Sequence, residues 1–291
     1  MKLSLNLFSG RPWQETLQLC KLLDNDNWHA VYISDHFMRE LTHPSGSDIA
    51  ECWTTLAAIA ASTCKVNIGP LVSSASMRHP AVVAKMAANV NAISDGRLIL
   101  GLGSGWDKTE HDAYGITILS LEERIDMFEE FLIVTKGLLN NNVFSYEGNY
   151  FNITNAECTP NISNNKIPIM VGSWKANEKI IKLAENYADS LNLIYPLHKF
   201  KNVNLNKITI NKSVYAPMIY IDEYTKSILQ KYKKLIPQQN YSIFTNLDMV
   251  KQEFFNFDEV IIGDFSFITD FDDLLNYLNY LNNTFNSIFN T

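Results

Sequence analysis

A chain of 291 residues, 46% hydrophobic and 19% charged, can bury a large core without disulfides or a structural metal. That composition excludes a disordered or collagen-like chain. The formal charge of −7 argues against the basic face by which a protein grips a nucleic-acid backbone. The longest apolar run, residues 56–61, falls far short of the ~20 residues that a membrane span needs. Residues 1–8 are too short an apolar stretch for a secretory signal before the break at Ser9-Gly10-Arg11-Pro12. Cys20, Cys52, Cys64 and Cys158 form no CxxC pair, and read as reduced, mostly buried thiols of a cytoplasmic protein.

In chain order, short β-branched runs alternate with amphipathic stretches, the pattern of parallel strands joined by crossover helices. Strands are expected at residues 3–8, 30–34, 66–72 and 97–102. Helices are expected between them, at 13–23, 52–62 and 81–93. A long helix follows at 121–139, with Glu122, Glu123, Asp126, Glu129 and Glu130 on its wet side. Two aromatic clusters, 143–146 and 150–153, flank Glu147-Gly148-Asn149 and read as a hairpin. Further strands are expected at 167–171, 190–194, 215–221 and 260–262, with helices at 175–187 and 270–281. Eight strands in one alternating series predict an α/β fold, a single-domain (β/α)8 TIM barrel over residues 1–291. The hairpin inserts after the fourth helix. Residues 198–213, after the sixth strand, lack an apolar stripe, so that crossover is expected to be shortened.

Chemistry in such a barrel sits at the carboxyl ends of the strands. There the sequence offers Ser34-Asp35-His36-Phe37, Leu71-Val72-Ser73-Ser74, Gly101 through Trp106, and Gly172-Ser173-Trp174-Lys175. As a histidine, His36 is the side-chain type suited to proton exchange near neutrality, and an adjacent carboxylate can fix its tautomer or keep it charged; a strand-end histidine bonded to backbone is the alternative. Asp35 reads as a carboxylate capping the next turn. The Gly101–Gly105 turn admits a flat or anionic ligand to the backbone, but lacks the acid ~20 residues on that a dinucleotide fingerprint requires. Gly172-Ser173 before a helix reads either as an anion site or as a plain tight turn. No metal is expected. His36 with His43, or Glu110-His111-Asp112, lacks zincin spacing and reads as solvated loop. The lysines of residues 199–234 read as a solvated face, and no nucleophile elbow is present.

Taken together, these loops resemble the bacterial luciferase-like family of flavin- and deazaflavin-dependent oxidoreductases. The resemblance lies in Ser34-Asp35-His36-Phe37, Gly69-Pro70-Leu71-Val72 with Arg78-His79-Pro80-Ala81, and Ile93 through Arg97. It continues through Gly101-Leu102-Gly103-Ser104-Gly105-Trp106 with Glu110, then Arg124, Glu129-Glu130 and Pro168 through Gly172, over about the first two thirds of the chain. It implies a barrel binding FMN or coenzyme F420 at its carboxyl end, with His36 as the active-site histidine. Leu71–Val72 would form a bulge behind the ring, with a non-prolyl cis peptide. Gly172 and Ser173 would hold the phosphate, Ser104 would sit near the ring's polar edge, and Asp35, Leu71 and Val72 count among the cofactor-binding residues. Trp106 stands where sugar-phosphate dehydrogenase relatives carry an acid, which disfavours that substrate.

The Gly-Ser-Gly-Trp turn is more similar to the deazaflavin-using members. The partner implied is a small organic substrate, to be oxygenated or to exchange hydride, with neither nucleic acid nor membrane, in a chain that forms a homodimer in many relatives. Two alternatives stay open: a cofactor-binding relative without turnover, and an unrelated barrel aldolase or hydrolase using Lys175.

Overall fold

The computed structural model describes residues 1–38, 48–160, 166–196, 204–236 and 242–289. Eight parallel strands form the barrel: β1 (Lys2–Leu7), β2 (Ala30–Ile33), β3 (Asn67–Pro70) with its continuation β4 (Ser73–Ser74), β5 (Leu100–Gly103), β8 (Ile169–Ser173), β9 (Ser190–Ile194), β10 (Asn211–Ala216) and β13 (Glu259–Asp264). Their order is β3-β2-β1-β13-β10-β9-β8-β5-β4. Because β3 and β4 are halves of the third strand, the two ends of that order meet. A parallel bridge between Ile68 and Leu98 closes the cylinder, with Ile99 N–H donating to the Ile68 carbonyl at 2.8 Å.

The alternation along each strand sorts residues between two cores. Leu3, Leu5 and Leu7 face the surrounding helices α1 (Trp13–Asn25), α2 (Cys52–Ser62), α3 (Pro80–Ile93), α5 (Leu121–Asn140), α6 (Glu178–Tyr187) and α9 (Phe271–Phe289) in one large apolar cluster. Ala30, Tyr32, Met170 and Ile261 fill the barrel interior, with Leu71, Val72, Ile99 and Tyr215 packed on them.

Three expectations are corrected. The seventh strand runs Asn211–Ala216, not 215–221. Its polar start hid it, because Ser213 points into the barrel and accepts from Asn192 Nδ2 at 3.0 Å. Beyond Pro217 the chain becomes β11 (Met218–Tyr220), paired in parallel with β12 (Ser242–Phe244) in a small separate sheet. Glu130 is not on the wet side of its helix. It is buried and accepts three backbone N–H bonds, from Asn149, Tyr150 and Phe151 at 2.7–3.1 Å, which pins the turn between β6 (Phe144–Glu147) and β7 (Asn152–Ala156). That antiparallel pair is the expected hairpin. Finally, α6 starts at Glu178 rather than 175, after a turn in which Ala176 has φ +47°.

Between β9 and β10 the described residues hold a single 3-10 turn, Leu205–Lys207, in line with a shortened crossover; residues 197–203, and His43 with its neighbours, lie outside the described residues. Among the described residues, no helix is long and apolar enough to cross a membrane.

Beneath the barrel, burial followed by the nearby Lys2 ammonium pulls the His29 imidazole down to about 4. The unfolded chain therefore takes up a proton here before the fold does. This part of the stability is present above pH ~6.5 and is lost as pH falls toward 4, at a cost of about 2–3 kcal/mol. Denaturant titrations of His29→Asn, which cannot protonate, are expected to show a flatter pH dependence across that window; an unchanged slope would exclude His29 as its source.

Candidate functional site

The site is assembled from loops at the carboxyl ends of β2, β3/β4, β5 and β8. His36, three residues beyond the end of β2, directs Nδ1 at Glu110 Oε2, 3.1 Å away. Glu110 is 3% exposed and lies on α4 (Lys108–Ala113). Its Oε1 also accepts from the backbone N–H groups of Phe37 and Met38, the latter at 3.0 Å. Burial pushes the Glu110 carboxyl up, but the His36 bond and charge and those backbone donors outweigh it and hold the group below its ordinary value. An ionised carboxylate only accepts, so His36 Nδ1 carries a hydrogen and the tautomer is fixed. Glu110 and His111 are thus buried, where the sequence pattern suggested solvated loop. The helix that carries them is only six residues and polar except for Ala113; Asp107, its cap, with Glu110 three positions on, is the signal that marks it.

Asp35, the acid next to His36 in sequence, is engaged by other side chains. It is 6% exposed and meets Arg78 through two bonds, of 2.5 and 3.0 Å, while accepting from Ser73 Oγ at 2.9 Å. Trp53 Nε1 donates to Ser73 Oγ at 3.1 Å, and Arg78 also reaches Glu51 at 2.8 Å and covers the Phe37 ring at 5.0 Å. Burial pulls the Arg78 guanidinium down, but Asp35 and Glu51 more than reverse this, so it stays charged. This network grips Ser73 just after the bend. At the bend the Leu71–Val72 peptide is cis, at the position the resemblance implies.

Val72 sits in a socket of glycine backbone. A Cβ on Gly103 would lie 2.7 Å from Val72 Cγ2, and one on Gly172 would lie 3.0 and 3.2 Å from its two methyls. Gly103→Ala is therefore expected to cost about 1–3 kcal/mol by overpacking, and Gly172→Ala less. Denaturation midpoints check this, and Val72→Ala should relieve the Gly103→Ala variant; equal stability of Gly103→Ala and the parent would refute the socket.

The β8 turn differs from its sequence reading. Ser173 is buried, and its Oγ accepts from Asn177 N–H at 3.1 Å. Asn177 caps α6, accepting from Lys179 and Ile180. The backbone N–H groups of Trp174 and Lys175 take no acceptor among the described residues and are the donors this turn offers. Ser104, half-buried, likewise has no side-chain partner among the described residues. Lys175 is exposed on the turn, not at a helix start.

Across the mouth runs a row of rings. Trp106 meets His36 edge-on at 5.8 Å, and Trp174 lies 5.5 Å beyond with planes 31° apart. His36, Asp107 and Glu110 bring metal-ligand atoms within 4.8 Å of one another. Hydrogen bonds account for that cluster, since Glu110 holds His36 and two N–H groups while Asp107 Oδ1 caps α4. A flat ring with a polar edge fits these surroundings better than an ion does: an imidazole, an unpartnered hydroxyl, two indoles and a glycine-seated valine line one mouth.

Comparison with known proteins gives matches of the same kind. Residues 3–203 match the family described as luciferase-like monooxygenase. The chain is 31% identical over 141 residues to the pyrimidine monooxygenase RutA of Caulobacter sp. (strain K31), a stretch covering 48% of this chain and 38% of that protein. It is 33% identical over 129 residues to an F420-dependent glucose-6-phosphate dehydrogenase of Kineococcus radiotolerans, covering 44% and 37%. The chain thus spans less than half the length of these curated relatives.

Two solved structures share its fold. A monooxygenase, RslO1, from Streptomyces bottropensis superposes with a TM-score of 0.76 at 17% identity, over 97% of this chain and 98% of that one. An F420-dependent secondary alcohol dehydrogenase gives 0.73 at 18%, over 96% and 98%. With the family match running over 3–203 of its 291 residues, the chain belongs to the luciferase-like monooxygenase family.

Proposed function

We propose that the chain is a flavin- or deazaflavin-dependent oxidoreductase acting on a small organic molecule, with FMN or coenzyme F420 as its redox group. The observation that carries this reading is the His36–Glu110 pair, an imidazole whose tautomer a buried carboxylate fixes at the barrel mouth. Relatives named as a monooxygenase and as an F420-dependent dehydrogenase support a redox activity of this kind. When bound, the ring supplies the hydride or oxygen chemistry, and the protein orients it and manages protons.

In this reading His36 exchanges a proton at Nε2 while Glu110 holds Nδ1–H. Val72, carried inward by the Leu71 bend, supports the ring, and the Ser104 hydroxyl meets its polar edge. Gly172 and Ser173 begin the turn whose Trp174 and Lys175 N–H groups hold the phosphate. Asp35 acts at one remove, through Arg78 and Ser73. The four unpaired thiols fit a reducing, cytoplasmic setting for a single barrel unit, and sizing of the purified protein tests a homodimer.

The test is titration of the purified protein with FMN and with F420, followed by cofactor absorbance and by tryptophan fluorescence. One of the two is expected to bind in the micromolar range and to quench the fluorescence of Trp106 and Trp174. Failure of both to bind rejects the reading.

A further inference from the structure

Trp106 and Trp174 are 52% and 58% exposed, although each is a large apolar side chain on the same rim as His36. Leaving two indoles in water forgoes burial that either could have gained within the fold. The backbone beside each is shaped to present it. Gly105 holds φ +83°, and a Cβ there would lie 1.9 Å from Ser76 Oγ, so the chain turns tightly just before Trp106. Ala176, at φ +47°, turns it again just after Trp174. The result is a row of rings leading outward from the imidazole, His36 to Trp106 to Trp174, at 5.8 and 5.5 Å.

Among the described residues, the buried charges beside this row are paired, which leaves Lys175 as an exposed cation next to it. Arg78 is held by Asp35 and Glu51, and Glu110 by His36 and backbone. These pairs leave neither the guanidinium nor the carboxylate to recognise an ionic substrate. What the rim does offer is flat, polarisable surface, whose quadrupoles favour offset or edge-on rings.

We infer that Trp106 and Trp174 form an aromatic wall that selects a flat, uncharged ring as the substrate presented to His36. The inference rests on the redox reading above, which makes His36 the working group.

The test is calorimetric titration, with and without bound cofactor, using three probes of similar size. Benzamide is flat and uncharged, cyclohexanecarboxamide is saturated and uncharged, and benzoate is flat and anionic. The parent protein is expected to bind benzamide about fivefold more tightly than either of the others, the scale of one or two aromatic contacts. Trp174→Ala is expected to erase the preference over cyclohexanecarboxamide, and Trp174→Phe to keep most of it. Cofactor affinity in Trp106→Ala, a residue outside the phosphate turn, should change less than about twofold.

Equal binding of the flat and saturated probes, absence of binding by all three, or a preference surviving in the Trp106→Ala/Trp174→Ala double variant overturns the inference. A benzoate preference overturns it too, transferring selection to Lys175. Loss of cofactor affinity by about tenfold or more in Trp106→Ala would place the indoles in the cofactor's seat instead. A protein that takes neither FMN nor F420 defeats the redox reading separately, and the cofactor-free probe titration still decides the aromatic preference.

Discussion

His36→Ala is expected to lower turnover by about a hundredfold or more while cofactor affinity changes little, the usual scale for removing a proton-transfer residue. The geometry makes the expectation specific. Glu110 binds Nδ1 at 3.1 Å and cannot donate when ionised, so Nδ1 carries a hydrogen, and in the proposed reading the proton that moves belongs to Nε2. Glu110→Gln keeps the shape and an acceptor oxygen for the Phe37 and Met38 N–H groups, but removes the charge that favours imidazolium. It is expected to cost about tenfold in rate and to shift the histidine limb of the pH–rate profile to lower pH. The two variants are followed as oxidation of the reduced cofactor with the acceptor the parent uses. Parent-level activity in His36→Ala would remove the residue from the chemistry, and an unmoved pH profile in Glu110→Gln would reduce the carboxylate to a structural tie. The Glu110 pKa lies below its ordinary value, so the stability its bonds provide is present above the usual carboxylate range and is lost as pH falls through the depressed value.

How much of this was legible in the sequence depended on whether the signal was periodic. The barrel was readable because strands recur eight times with helices after most of them, and errors at single strands did not disturb the count. The seventh strand was misplaced where an inward Ser213, paired with Asn192, broke the apolar run; polar pairs inside a barrel look like loop. His36 stood out because few side chains titrate near neutrality. Its partner did not, since Glu110 lies 74 residues away and only the closed barrel brings the two together. Asp35 read as a cap of the next turn, a structural part; the structure gives it instead a buried pairing with Arg78, 43 residues on, which only the closed barrel brings near. Gly172-Ser173 read as an anion site or a tight turn, and the acceptor bond of Ser173 Oγ to Asn177 stayed hidden because it depends on where α6 begins.

Removing Arg78 is expected to destabilise the fold by about 3–5 kcal/mol, because it leaves the buried Asp35 charge uncompensated, whereas removing Asp35 leaves Arg78 paired with Glu51 and should cost less. The two losses should differ in their pH dependence. Burial raises the Asp35 carboxyl, while Arg78 and Ser73 pull it back. In Arg78→Met the largest restraint on that rise is gone, so the folded-state pKa climbs further above the unfolded value. A carboxyl shifted that way contributes stability that is fully present below the unfolded pKa and is lost as pH rises through the folded one. Arg78→Met should therefore recover much of its deficit in mildly acidic buffer, whereas Asp35→Ala, with no carboxyl to protonate, should not. The double variant is expected to cost less than the sum of the singles, since neither charge is then orphaned. Denaturation curves of all four proteins at two pH values measure the coupling. Additive losses, or equal pH dependence in the two singles, would show that the pair is only a solvent-screened contact. Because Asp35 accepts from Ser73, which follows the Leu71–Val72 bend, Asp35→Ala should also weaken cofactor binding without any direct contact having been removed. Asp35→Asn, which can still accept from Ser73, should retain more of that affinity than Asp35→Ala does. If both lose it equally, the link from the buried pair to the mouth runs through Arg78 and Phe37 instead.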